Sequence, residues 1–371
     1  MISQKLNSMV RKHWDESQVR VRPNKKGSRP RTKDRPSYKD ALIGRIVTVD
    51  RGRYTAIADE GTADERTITA VRAKELRRQP VVVGDLVALV GDTSGDEGTL
   101  ARLVRIEERS TVLRRSADDT DPYERIVVAN ATQMIIVVAA ANPEPRTGFI
   151  DRSLVAAFDA GIHPILCITK TDVKYPQNLL DYYANADLRI VLSQSPGGIA
   201  PSEEGSEGLD SALVQKISAL LDGEISVLLG HSGVGKSTLV NALTGAERDT
   251  GHVNAVTGRG RHTSSSAVAL SPDDAATGTW IIDTPGIRSF GLAHIPAENI
   301  VGAFTELAPV SAECPRACTH SSTATGCAIA DYVSAGHAGE SGEARLQSLR
   351  KLLGVEENLE SDSEKELGIV E

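Results

Sequence analysis

The chain has 371 residues, 40% hydrophobic and 25% charged, with a formal net charge of -8. This is ordinary for a soluble globular protein of two or three domains, at roughly 100–200 residues per domain, and it argues against a wholly basic nucleic-acid coat. No apolar run approaches the roughly 20 residues of a membrane span, and Met1 to His13 lacks the apolar centre of a signal peptide, so the expected setting is the cytoplasm, with no membrane.

In chain order, residues 1–40 form a basic arm with little apolar material, expected to be disordered alone and able to fold onto RNA phosphates. Residues 41–115 carry short alternating runs (Leu42–Val49, Arg53–Ala58, Thr67–Val71, Val81–Val90 and Gly98–Ile106) separated by Gly and Asp. Five such strands fit an all-β, OB-like barrel, a fold whose open face commonly binds oligonucleotides, although a purely structural barrel would read the same way. From 118 to 293 buried strands alternate with helices. The strands are Gln133–Ala140, His163–Ile168, Leu188–Leu192, Ile225–Leu229 and Thr279–Ile282. The helices are Asp151–Ala160, Leu179–Ala184 and Leu209–Leu221, with a Gly/Ser/Glu-rich loop over 196–208. That alternation predicts a mostly parallel sheet covered on both faces, an α/β domain. Residues 294–371 hold a Cys/His cluster, a helix over Glu343–Leu353 with Leu346, Leu349, Leu352 and Leu353 as its stripe, and an acidic tail.

The chemistry centres on Gly230-His231-Ser232-Gly233-Val234-Gly235-Lys236-Ser237, between an apolar strand and the helix start at Thr238. This is the G-x-x-x-x-G-K-S spacing of a phosphate-binding loop. Its glycines let backbone N–H groups approach phosphates, Lys236 reaches the β/γ-phosphates, and the Ser237 hydroxyl suits Mg²⁺. Asp283-Thr284-Pro285-Gly286 ends a later apolar strand. Asp283 is placed near Mg²⁺ by this pattern, and the Gly286 N–H near a γ-phosphate.

Thr169-Lys170-Thr171-Asp172 follows a strand and looks like the guanine-reading N-K-x-D loop, with Thr169 where Asn is usual. Asp172 accepts from guanine N1–H and the 2-amino group, a pairing adenine cannot supply. Ser193 ends the next strand, where a guanine carbonyl would be contacted. These motifs run 169–172, then 230–237, then 283–286. Most GTPases have the phosphate loop first, so the order is circularly permuted. Between them, Gly258-Arg259-Gly260-Arg261-His262-Thr263-Ser264-Ser265 reads as a switch. Thr263 is the candidate hydroxyl for Mg²⁺. Ile287 stands where a water-orienting Gln would be expected, which leaves His262 as the candidate water-positioning group.

Cys314-x3-Cys318-x-His320-x6-Cys327 offers three thiolates and one imidazole, a structural zinc set in a cytosolic chain. The fourth cysteine, Cys167, lies alone in an apolar strand.

Together these residues resemble the ribosome small-subunit-dependent GTPase A family over roughly 41–330. The likeness rests on the barrel, the permuted motif order, Gly260-Arg261-His262-Thr263 and the cysteine cluster. The cysteine spacings, x3 and x6, stand where the family usually has x4 and x5, and Thr263-Ser264-Ser265 replaces a run of threonines. The resemblance implies a cytoplasmic, monomeric, Mg²⁺-dependent GTPase that binds the small ribosomal subunit and assists its late maturation. Subunit-stimulated hydrolysis, and contacts of the barrel and the zinc domain with ribosomal RNA, are implied in the same way. Two other readings stay open from the residues alone: a metabolic P-loop enzyme such as a nucleotide kinase, and an RNA-binding scaffold in which nucleotide plays no part.

Overall fold

The computed structural model describes residues 38–76, 79–116, 124–193, 211–245, 267–272, 275–285, 287 and 290–355. The expected switch residues His262 and Thr263, Gly286, most of the basic arm and the acidic tail lie outside the described residues. The chain divides into two units, Met1–Lys39 and Asp40–Glu371, and the described fold belongs to the second.

Alternating apolar residues build β1 (Leu42–Asp50), β2 (Arg53–Ala58), β3 (Arg66–Arg72), β4 (Leu86–Gly91) and β5 (Ala101–Ile106). They pair in the order β1-β2-β3-β5-β4, with β4 returning to β1 and β3 parallel to β5. This closes the expected five-stranded barrel around Ile46, Ile68, Leu89 and Leu103. The expected strand Val81–Val90 begins only at Leu86. The physical cause is Asp85, fully buried, whose carboxylate accepts from the Val82 N–H at 2.8 Å and from Arg109 Nε and Nη2 at 2.6 and 2.9 Å. Satisfying a buried carboxylate this way fixes a turn where periodicity alone reads strand.

A hairpin not anticipated from the sequence, β6 (Val112–Arg115) with β7 (Arg125–Ala129), leads out of the barrel. The same hydrogen-bonded sheet continues beyond β1 into an α/β part made of β8 (Gln133–Ala139), β9 (His163–Thr169), β10 (Arg189–Leu192), β11 (Ile225–Gly230), β12 (Val268–Leu270) and β13 (Trp280–Asp283). Their order is β10-β9-β8-β11-β13-β12, parallel except for β12. One face is covered by α3 (Ser211–Leu221) and α4 (Lys236–Thr244), packed on Ile135, Val137, Leu228 and Ile281. The other carries α1 (Thr147–Asp159), which starts four residues before the predicted helix, and α2 (Gln177–Tyr182).

The C-terminal elements α5 (Ala297–Gly302), a 3₁₀ segment (Ala308–Glu313), α6 (Ala328–Ser334) and α7 (Gly342–Leu352) pack on that same second face. Phe304, Leu307, Ile329, Leu346 and Leu349 share one buried cluster with Ile136, Ile150 and Leu154. The C-terminal region therefore has a common core with the α/β sheet. The barrel joins at the opposite edge, where Thr48 of β1 pairs with Val268 of β12. Trp280 Nε1 donates to Glu60 Oε1 at 2.6 Å, and Arg45 Nε donates to Glu60 Oε2 at 3.1 Å.

Candidate nucleotide site and metal cluster

Three parallel strands deliver the predicted motifs to one end of the sheet. β11 ends in the glycine-rich loop, β9 in Thr169, and β13 in Asp283. Loops outside the carboxyl ends of parallel strands are where such sheets bind ligands. Gly230 lies against β8, where an added Cβ would sit 2.7 Å from the Val137 carbonyl oxygen. Gly235 takes φ 90° as the residue preceding α4, a conformation that an L side chain resists. Lys236, Ser237 and Thr238 then form the first turn of α4, whose N-terminal N–H groups and dipole favour an anion.

Asp283 pairs in register with Leu228 of β11, and the Thr284 hydroxyl donates to the Leu228 carbonyl at 2.7 Å. Lys236 Nζ forms an ion pair with Asp283 Oδ1, the two side chains being 11% and 9% exposed. The ammonium suited to phosphate oxygens and the carboxylate suited to Mg²⁺ thus converge on one point. Ile287 is buried in the core, so the position after the D-x-x-G turn packs inward. His231 contributes its ring, which lies 4.5 Å from that of Phe149.

The guanine-loop residues are tied to this phosphate loop. Thr169, 2% exposed, donates its hydroxyl to the Val234 carbonyl at 2.6 Å, with the Val138 carbonyl at 3.2 Å. Lys170 adopts φ 55°, and its Nζ donates to the Asn142 carbonyl. The Thr171 N–H donates to Ser193 Oγ at 3.1 Å, and the two hydroxyls lie 2.9 Å apart. Ser193 therefore buttresses the loop through its side chain. Asp172 is left exposed, free to accept from a base edge. Phe149 and Asn142 were missed by reading motifs. The Asn142-Pro143 dipeptide is a turn signal that points to the second of them.

In the C-terminal region the four expected metal ligands come together. Their ligand atoms all lie within 4.8 Å of one another, and His320 Nδ1 is 3.7 Å from Cys314 Sγ and 3.6 Å from Cys327 Sγ. An ion bound tetrahedrally at about 2.3 Å from sulfur and about 2.1 Å from nitrogen sets such atoms about 3.6 Å apart, so the residues fit a metal. Burial first, and then the neighbouring Cys318 and Cys314, push the Cys327 thiol up to about 11. Burial, then Arg350, pushes the His320 imidazole down, favouring its neutral, ligating form. Arg350 Nε donates to the His320 carbonyl at 2.8 Å, which ties α7 to the cluster.

A glycine-rich phosphate loop preceded in the chain by its guanine loop, on a parallel sheet that follows an OB-type barrel, defines a circularly permuted GTPase. The chain belongs to the RsgA GTPase family, whose model matches residues 106–293. A small ribosomal subunit biogenesis GTPase RsgA from Nitrosospira multiformis is 33% identical over 308 residues, covering 81% of this chain and 88% of the relative. A protein of the same name from Klebsiella pneumoniae is 31% identical over 353 residues, covering 91% and 92%. Among solved structures, YloQ, a circularly permuted GTPase, aligns with a TM-score of 0.59 at 21% identity, over 86% of this chain and 98% of that one. YjeQ from Thermotoga maritima aligns at 0.57 and 24% identity, over 84% and 99%. Both structural likenesses concern the fold.

Proposed function

We propose that this GTPase acts in the cytoplasm on the small ribosomal subunit, hydrolysing GTP to GDP and phosphate as part of that subunit's late maturation. The observation that carries the nucleotide assignment is the Thr169 to Val234 hydrogen bond, which joins the guanine-type loop to the phosphate loop despite their reversed order. The names borne by relatives that share about nine-tenths of their length with this chain support the ribosomal part.

In this reading Asp172 selects guanine, with Thr169, Lys170, Thr171 and Ser193 shaping its loop. Gly230 to Gly235 and Thr238 present backbone N–H groups to phosphate oxygens, and Lys236 stabilises the charge that accumulates there. Ser237, Thr263 and Asp283 hold Mg²⁺, which would neutralise phosphate charge. His262 orients the attacking water, and Gly286 contacts the γ-phosphate. Cys314, Cys318, His320 and Cys327 would hold one structural Zn²⁺, since three thiolates and an imidazole make up a complete tetrahedral set. The barrel, the metal region and the basic arm supply the ribosomal RNA contacts, and the protein works as a monomer.

Co-sedimentation with purified small subunits tests this. Retention in the presence of a non-hydrolysable GTP analogue should exceed that with GDP. Equal retention would mean that the nucleotide state does not control binding to the subunit.

A further inference from the structure

Arg345 lies on α7, far in sequence from every nucleotide motif, yet it is one of the largest fully buried side chains. Its Nη1 donates to Asp151 Oδ1 and its Nε to Glu306 Oε1, each at 2.5 Å. The guanidinium carbon lies 5.3, 5.0 and 4.4 Å from the ring centres of Tyr182, Tyr183 and Phe304. Asp151 is saturated as well, accepting from Tyr183 at 2.9 Å, Tyr182 at 3.3 Å and Ser348 at 2.5 Å. Burial raises both tyrosine pKa values, and the Asp151 charge raises them further, so both remain phenols that donate to the carboxylate.

Three of these partners, Asp151, Tyr182 and Tyr183, belong to α1 or to the C-terminal end of α2, the helices that adjoin the phosphate loop and the guanine loop. Asp151 is in the first turns of α1, two residues from Phe149, whose ring lies against His231 of the phosphate loop. Tyr182 and Tyr183 end α2, which begins at Gln177, five residues after Asp172. On its other side, α7 reaches the metal cluster through Arg350.

We infer that Arg345 is a positioning residue for guanine nucleotide, clamping α1 and α2 so that the C-terminal helices set how tightly the phosphate and guanine loops hold GDP and GTP. This inference rests on the nucleotide-site reading above. A planar fork that binds two carboxylates and stacks on three rings defines one relative placement of three helices, which an apolar contact of equal volume would not. Without the guanidinium, Asp151 and Glu306 lose their shared buried cation, and the Ser348 hydroxyl is left to tie Asp151 of α1 to α7, a weaker hold on their relative placement. Linkage makes the effect reciprocal, so nucleotide bound at the loops must also stabilise α7.

Two measurements test it. GDP affinity is compared in wild-type protein, Arg345→Met and Arg345→Lys, with metal content and circular dichroism recorded for each. The expected result is a GDP Kd raised roughly tenfold in folded Arg345→Met, within the usual range of coupling, and partly restored in Arg345→Lys at equal metal content. An unchanged Kd in folded Arg345→Met overturns the inference. Should Arg345→Met not fold, hydrogen exchange of the wild type with and without GDP decides. Slowed exchange across residues 342–352 supports the coupling, and protection confined to the two nucleotide loops overturns it. Wild-type protein that binds no GDP would overturn this inference and the nucleotide-site reading together.

Discussion

The hydroxyl of Thr169 donates to the carbonyl of Val234 at 2.6 Å, across 65 positions of chain. Asparagine is the usual residue at this place in a guanine loop, and the threonine hydroxyl makes a tie of the same kind from a shorter side chain. The bond is buried, so its loss leaves a carbonyl unpaired, at a cost of about 1–3 kcal/mol. Thr169→Val should therefore weaken GDP and GTP binding by roughly tenfold or more, while Thr169→Ser retains most of it. Titration with a fluorescent guanine nucleotide checks this, and equal affinity in Thr169→Val would show that the tie does not position the loops.

Asp172 is exposed beside that tie, and its two oxygens match the two donors on the guanine edge. Asp172→Ala should lower GTP affinity by roughly 2 kcal/mol, about thirtyfold, with little effect on the low affinity for ATP. Asp172→Asn should move preference toward XTP, because an amide N–H can donate to the xanthine 2-carbonyl where guanine offers a donor. Competition among GTP, XTP and ATP measures both shifts. Undiminished GTP preference in Asp172→Ala would place base recognition elsewhere.

Thiol chemistry separates the buried cysteine from the cluster. Burial pushes the Cys167 thiol up to about 12 from 9.0. The folded state therefore keeps its proton where the unfolded state begins to lose it. The fold therefore loses stability as the pH rises above about 9, where the unfolded chain gains the thiolate that the buried site disfavours. At pH 8 a thiol alkylating reagent should spare Cys167 in folded protein. Cys314, Cys318 and Cys327 should be protected while metal is bound and become reactive after chelation, counted by mass spectrometry. Modification of Cys167 alone in folded protein would contradict its burial.

The barrel is anchored by Glu60, which accepts from Trp280 at 2.6 Å and Arg45 at 3.1 Å. Glu60→Ala leaves the indole N–H and a guanidinium that is only 13% exposed without this partner. We expect about 1–3 kcal/mol of destabilisation, read as a lower urea midpoint. Glu60→Gln, which still offers an acceptor to the indole, should fall between the two. Identical midpoints for Glu60→Ala and wild type would show that the contact adds nothing to stability.

Local motifs made much of the site legible. Gly230 to Ser237, Thr169 to Asp172 and the cysteine cluster each announce their chemistry within a few residues, and the strand–loop–helix pattern around them supplied the α/β sheet. Features that depend on distant pairing were not legible. Arg345 reads as a charged residue beside the apolar stripe of Leu346 and Leu349, and Asp151, 194 positions earlier, together with Glu306, 39 positions earlier, makes its burial possible. Val268–Leu270 is too short to read as a strand, and it exists through pairing with β13 and with Thr48. The turn at Asp85 hides inside an apolar run because Arg109, 24 positions on, satisfies the carboxylate.

The decisive measurement is GTP turnover with and without purified small ribosomal subunits. Turnover should be slow for the protein alone, markedly stimulated by the small subunit, and lost under both conditions in Lys236→Ala. Turnover left unchanged by small subunits would mean that the GTPase does not act on them.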